Sequence, residues 1–227
     1  MSVIRFLTSG LPIDGKYIID VGCGRGHLAK ALTDKGARVT GIDPAPAAIV
    51  AARITEPRAI FEVAAAEALP FPDGSFNAAV FLNSLHHICC SHMNEALSEA
   101  ARVTGRSGII AIIEPLAEGS FFDVFRLIDD ESEVRAKAQK ALVTAVRDGH
   151  LYPLRSTILV RSERFATFEK FVERAVSAAP ERQDIVASQF SAIERAFLSS
   201  ARKRCGEFQL DQPLKADLYA CSGAAAV

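Results

Sequence analysis

Ile18-Ile19-Asp20-Val21-Gly22-Cys23-Gly24-Arg25-Gly26 is an apolar run that closes on three alternating glycines. Tyr17 to Val21 reads as a buried strand, a short apolar stretch with no polar face to show to water. Gly26 to Lys35 reads as a helix, with Leu28, Ala31 and Leu32 on one face and Gly36 as the stop. The glycines between them let the chain turn sharply and let a ligand approach the main chain. Free amides at the helix start favour an anionic or polar ligand end. The dinucleotide fingerprint G-x-G-x-x-G would need a small residue at position 27. His27 stands there, and the third glycine is Gly26. The pattern is D-x-G-x-G-x-G led by Asp20, which weakens a nicotinamide dinucleotide reading.

Working outward, strands and helices alternate. Arg38 to Ile42 is a strand ending at Asp43-Pro44, and Pro46 to Thr55 is an alanine-rich helix. Ala59 to Val63 is a third strand, Leu69 to Ser75 a turn-rich loop, and Phe76 to Leu82 a fourth strand. Ser91 to Val103 is a helix that turns Met93 and Leu97 inward; Ile109 to Ile113 is a fifth strand closed by Glu114-Pro115. This alternation predicts a parallel sheet covered on both faces, and right-handed crossovers make it doubly wound. Asp43 then sits at the ligand-facing edge, where a carboxylate can accept both hydroxyl hydrogens of a ribose. The competing role for Asp43 is a cap on the helix that follows Pro44.

The second half carries fewer signals. Helix is expected from about residue 117 to 147, a strand over Arg161 to Phe168, and helices over Glu169 to Ala178 and from Pro180-Glu181 to about Cys205. A last strand or hairpin spans Phe208 to Ala220, interrupted at Pro213.

Four segments carry a family resemblance. Residues 18–26 resemble motif I of class I S-adenosylmethionine-dependent methyltransferases. Gly41-Ile42-Asp43-Pro44-Ala45 resembles the acidic motif that follows it. Ala66-Glu67-Ala68-Leu69-Pro70-Phe71-Pro72-Asp73-Gly74-Ser75-Phe76 resembles the adenine-side segment of the small-molecule and quinone-type branch. Asn83-Ser84-Leu85-His86-His87-Ile88 resembles that branch's segment after strand 4. The four cover roughly residues 17 to 115.

The resemblance implies an α/β, Rossmann-like, doubly wound and mostly parallel seven-stranded sheet with a helical insertion after strand 5. It implies methyl transfer from S-adenosyl-L-methionine to a small-molecule acceptor, with no metal. Gly22, Gly24 and Gly26 would pass the methionyl part, Asp20 would orient the loop and face the amino end, and Asp43 would bind the ribose. Ala66 and Glu67 would lie beside the adenine and Asn83 near the sulfonium, with Cys23, His27 and Pro44 completing the cofactor shell. The chain departs from the family at Ala65, where an acid often accepts from the adenine amino group. It departs more mildly at Phe76-Asn77 and at Val103-Thr104-Gly105-Arg106-Ser107-Gly108.

Residues 1–116 are expected to be the cofactor-binding half and 117–160 a helical insertion acting as lid or substrate cap. Residues 161–221 would complete the sheet, and 222–227 would be a tail. The short stretch before the first strand shifts the covering role to Leu116 to Leu159. Phe121, Phe122, Phe125 and Leu127 would supply apolar wall there, the alternative being ordinary helix core. His150 and Tyr152 would line the substrate pocket. His86 and His87 are the first candidates for a base, because histidine titrates near neutrality; Glu114 is a lesser one.

Composition sets the remaining expectations. The 227 residues are 49% hydrophobic and 23% charged, enough to bury a large core, and the net charge of -1 argues against nucleic acid or an anionic membrane as main partner. The Asn/Asp-Pro-Pro-Tyr/Phe motif of nucleic-acid amino methylation is absent after the fourth strand. The five cysteines, at 23, 89, 90, 205 and 221, make no C-x-x-C pair, which fits reduced thiols. No leader or membrane-spanning run is evident, so a cytoplasmic enzyme is expected, with a homodimer left open. Two other readings compete: a nucleotide-dependent oxidoreductase on a similar sheet, and a non-catalytic S-adenosylmethionine-binding protein, which Ala65 favours.

Overall fold

The computed structural model describes residues 1–221, and the chain divides into two compact units. Of the described residues, unit 1 comprises 1–114, 137–158 and 215–221, and unit 2 comprises 115–136 and 159–214. The tail expected over 222–227 lies outside the described residues.

In chain order the elements are α1 (Val3–Gly10), β1 (Tyr17–Val21), α2 (His27–Thr33), β2 (Arg38–Asp43), α3 (Pro46–Thr55), β3 (Ile60–Val63) and β4 (Ala78–Leu82). A 3₁₀ turn (Leu85–His87), α4 (Met93–Thr104) and β5 (Ile109–Pro115) follow. The rest is α5 (Ser120–Phe125), α6 (Ser132–Arg147), β6 (Leu151–Phe165), α7 (Phe168–Ala178), α8 (Arg182–Ser200), β7 (Arg202–Arg204) and β8 (Glu207–Cys221).

The strand order is β3-β2-β1-β4-β5-β8-β6, with short β7 paired to β8 off that path. β1 runs parallel to β2 and β4, β2 to β3, and β4 to β5. This is the doubly wound, Rossmann-like sheet expected from the alternation, with β7 as an eighth strand. The order reverses between β1 and β4. Crevices at the carboxyl ends of strands flanking such a reversal are where open α/β sheets bind ligands.

Unit 1 is held by the apolar face of each element. Ile19, Phe81 and Ile112 from the strands meet Leu97 and Ala100 of α4 and Ala141 and Leu142 of α6 in one core. Each fully buried aliphatic or aromatic side chain contributes about 1.5–3 kcal/mol. A helix precedes the first strand, where no element was expected. Phe6, Leu7 and Leu11 are spaced for one buried face, and Ser2 caps it by accepting from the Arg5 amide at 3.3 Å.

Unit 2 is built on phenylalanine. Phe165, Phe168, Phe171 and Phe197 pack with ring centroids 5.4–6.3 Å apart, joined by Val186, Ile193 and Leu210. Three boundaries differ from the sequence reading. The strand expected from Arg161 begins at Leu151 and stops at Phe165, because Thr167 caps α7 by accepting from the Lys170 amide. Helix expected to Cys205 ends at Ser200, and Cys205-Gly206, with φ of 50° and 83°, turns β7 into β8. β8 runs unbroken through Pro213. The Pro213 carbonyl accepts from the Leu116 amide at 3.0 Å, and buried Gln212 donates from Nε2 to the carbonyls of Leu116 and Pro213 at 2.9 Å each. Residues 137–158, expected within the insertion, belong to unit 1.

Candidate functional site

A cleft of about 620 Å³ opens at the carboxyl ends of β1, β2 and β4. Its walls are Val21 to Gly24, Ile42 to Pro44, Ala65 to Glu67, Leu82 to Ser84, and His87 to Cys89. Its size suits a nucleoside-sized ligand, since such sites run from about 300 to 1,000 Å³.

The glycine loop is locked from below. Gly22 and Cys23 donate their amides to the Ile42 carbonyl at 2.9 and 2.8 Å. Gly22 has φ +74°, and a Cβ there would stand 2.5 Å from Ser84 Cβ. Conformation and space both demand glycine. Gly26 caps α2 in the left-handed region, and its bare face lies against Ala52 of α3.

Asp43 serves two backbone partners at once. Oδ2 accepts from the Gly24 amide at 3.0 Å and Oδ1 from the Ala45 amide at 2.9 Å. The contact with Ala45 is a local turn and not the helix cap weighed for Asp43, since α3 starts at Pro46 with no side-chain cap; with the Gly24 contact it makes Asp43 a clamp on the loop. A carboxylate has about four lone-pair positions, so each oxygen keeps one for a ligand hydroxyl.

Among the described residues three buried side-chain oxygens have no hydrogen-bond partner, and two of them, Asp20 Oδ2 and Asn83 Oδ1, belong to the glycine-loop strand and the cleft wall. Buried polar atoms left unpaired are costly. Asp20 lies beneath the loop. Burial, and then the Asp43 charge, push its carboxyl up to about 7, against a smaller lowering by the Ala29 amide. Burial and the same two carboxylates hold the Cys23 thiol protonated. Asn83 has φ +52°, a left-handed conformation tolerated best by glycine and asparagine. The glycine cradle, the two orphaned oxygens and the doubly accepting Asp43 fit a ligand that brings hydroxyls and a cationic end.

Of the cofactor residues read from sequence, Gly22, Cys23, Gly24, Asp43, Pro44, Ala66, Glu67 and Asn83 line the cleft. Asp20 and Gly26 lie behind the loop, and His27 opens α2 with an exposed side chain. The histidine pair divides. His87 lines the cleft, whereas His86 is 4% exposed and holds Nδ1 against Glu114 Oε2. Glu114 is buried and spends its oxygens on His86 and neighbouring backbone, so its expected role as a base is not the one its geometry serves.

The residues expected at the substrate pocket are not among those that line this cleft. His150 lies with Arg102, Gly105 and Arg106 in a second cleft at the α4–β5 connection, the opposite edge of the sheet, and Tyr152 stands beside Gly149 there. Phe121 and Phe125 stack at 5.7 Å within the core of unit 2, and Phe122 is buried under the Arg135 guanidinium at 4.5 Å. Their packing is that of helix core. Sequence reasoning missed Val21, Ile42, Leu82, Ser84, Ile88 and Cys89. Val21, Ile42 and Leu82 were legible as strand ends at the ligand edge. The Cys89 thiol is lowered by its hydrogen bond with Ser91 Oγ at 3.1 Å, and only the fold places it at the cleft.

Residues 19–112 match the family described as "Methyltransferase domain". The chain is 32% identical over 135 residues to malonyl-[acyl-carrier protein] O-methyltransferase of Serratia marcescens, covering 58% of this chain and 52% of that protein. It is 36% identical over 120 residues to demethylmenaquinone methyltransferase of Thermus thermophilus, covering 49% and 54%. The chain thus spans about half the length of these relatives. A solved structure of a methyltransferase candidate from Bacillus halodurans C-125 shares the fold, with a TM-score of 0.67 and 19% identity over 98% of this chain and 100% of that one. Among the described residues no helix is long and apolar enough to cross a membrane.

Proposed function

We propose that this chain, whose residues 19–112 match the methyltransferase domain family, transfers a methyl group from S-adenosylmethionine to a small-molecule acceptor. The observation that carries the proposal is the cleft over the glycine loop, where Asp43 keeps an open lone pair on each oxygen. Asp43 takes the ribose hydroxyls. Asp20, beneath the loop, faces the ammonium of the methionyl part. With Ala65 in place of an acid, adenine is held by apolar packing and backbone along Ala65 to Glu67.

When bound, the cofactor supplies a methyl on a sulfonium that leaves as a neutral thioether. The protein's share is to orient it, to place an acceptor in line, and to exclude water. His87 lines the cleft and would take a proton from the acceptor. The acceptor is a small molecule, in keeping with the net charge of -1. Its choice lies outside residues 19–112, since relatives named for different acceptors match this chain over only about half their length.

Calorimetric titration with S-adenosylhomocysteine, run beside NAD, tests the proposal. Saturable binding of the first and none of the second is expected. Binding of NAD alone would replace it with the oxidoreductase reading. Binding of S-adenosylhomocysteine without methyl transfer to any of a broad panel of small acceptors would favour a non-catalytic role.

A further inference from the structure

We infer that Glu114 is the positioning residue of the acceptor end of the cleft. It stands in for a missing strand and sets the turn that carries Asn83, Ser84 and His87; the inference rests on the proposed function. The β4–β5 ladder makes its last rung where the Asn83 amide donates to the Ile113 carbonyl at 2.9 Å. Glu114 is the next residue of β5 and is 1% exposed. Its Oε1 accepts from the Ser84 and Leu85 amides at 2.9 and 3.0 Å, and Oε2 from the His86 amide at 3.3 Å and from His86 Nδ1. Three successive amides that would otherwise be buried unpaired converge on one carboxylate.

The consequence reaches the cleft by two routes. Between the last rung and the captured amides only Asn83 remains, so it absorbs the change of direction at φ +52°. Its Oδ1 is thereby left buried at the cleft wall. Ser84, fixed through its amide, donates Oγ–H to the Val21 carbonyl at 2.6 Å and fills the space beside Gly22. Glu114 therefore sets the register between the turn and the glycine loop. It also decides which histidine is presented: His86 is drawn into the interior and His87, whose amide closes the turn on the Ser84 carbonyl at 3.2 Å, faces the cleft.

Glu114→Gln keeps the volume and removes the charge. Amides bound to an ionised acceptor make stronger hydrogen bonds, so the ¹H–¹⁵N resonances of Ser84 and Leu85 should move upfield in this variant. Affinity for S-adenosylhomocysteine, measured on the folded variant by calorimetry, should fall by about tenfold or more, on the scale of one charge-assisted hydrogen bond. A merely structural glutamate would lower the melting temperature and leave the affinity of the folded protein alone. Moved amide resonances with unchanged affinity overturn the inference. If Glu114→Gln does not fold, Ser84→Ala decides: it cuts the link to Val21, a severalfold loss of affinity supports the inference, and none overturns it. Failure of the unmodified protein to bind S-adenosylhomocysteine overturns the functional reading and this inference together. Binding by it with unaffected variants overturns this inference alone.

Discussion

Unit 1 concentrates unusual backbone at one cleft, with Gly22 and Gly24 at positive φ beside left-handed Asn83, whereas unit 2 concentrates nine of the fourteen phenylalanines in the chain. The first arrangement holds polar atoms ready for a ligand. The second removes apolar surface from water and leaves few unusual dihedrals. A backbone held at positive φ accepts a very short list of residues, while a core accepts many sets of side chains of suitable volume. Function and stability should therefore separate on mutation.

The largest effect should come from unit 2. Phe171→Ala empties a fully buried ring site and should cost about 3–5 kcal/mol in denaturant unfolding. The folded fraction should keep its affinity for S-adenosylhomocysteine within about twofold. A parallel loss of affinity would break the contrast between the units. Next comes Gly22→Ala, which combines left-handed strain with overlap against Ser84. Strain of this type costs about 1–3 kcal/mol, so calorimetry should read a loss of affinity of roughly ten- to a hundredfold.

Asp43→Ala should weaken binding by about 1.5–3 kcal/mol, the range for hydrogen bonds to a charged group. Unchanged affinity would remove Asp43 from the ribose site and leave it a loop clamp. The smallest effect is a pH dependence. The Asp20 carboxyl sits at about 7, far above the usual carboxylate range, through burial and the Asp43 charge. An ammonium binds the ionised form, so affinity should rise from pH 6 to pH 8 by roughly tenfold, as the competent fraction grows. Asp20→Asn should flatten the profile. The sign for folding is opposite: the native state holds the proton more tightly than the unfolded chain, so this group's contribution to stability falls as pH rises from about 4 to about 7.

The same contrast explains what could be read from the sequence. The strand ends, the glycine loop and Asp43 were legible because each answers a backbone requirement written into a few positions. The histidine pair was found but not divided, since adjacency cannot say which ring meets Glu114. His150 and Tyr152 were expected at the substrate pocket from their place after the helical insertion, and the fold sets His150 in the second cleft, beside Arg102 and Arg106. β6 was read ten residues short because Pro153 and a scatter of charges hide its alternation. In unit 2, apolar periodicity announced helices, but nothing in it distinguished core from wall.

The space beside Gly22 is claimed by Ser84, more than sixty residues further along the chain. A lineage carrying this site cannot enlarge the first position while the second keeps a side chain. The two positions are thus inherited together, and a glycine arising at 84 would not by itself free residue 22, whose φ of +74° still favours glycine.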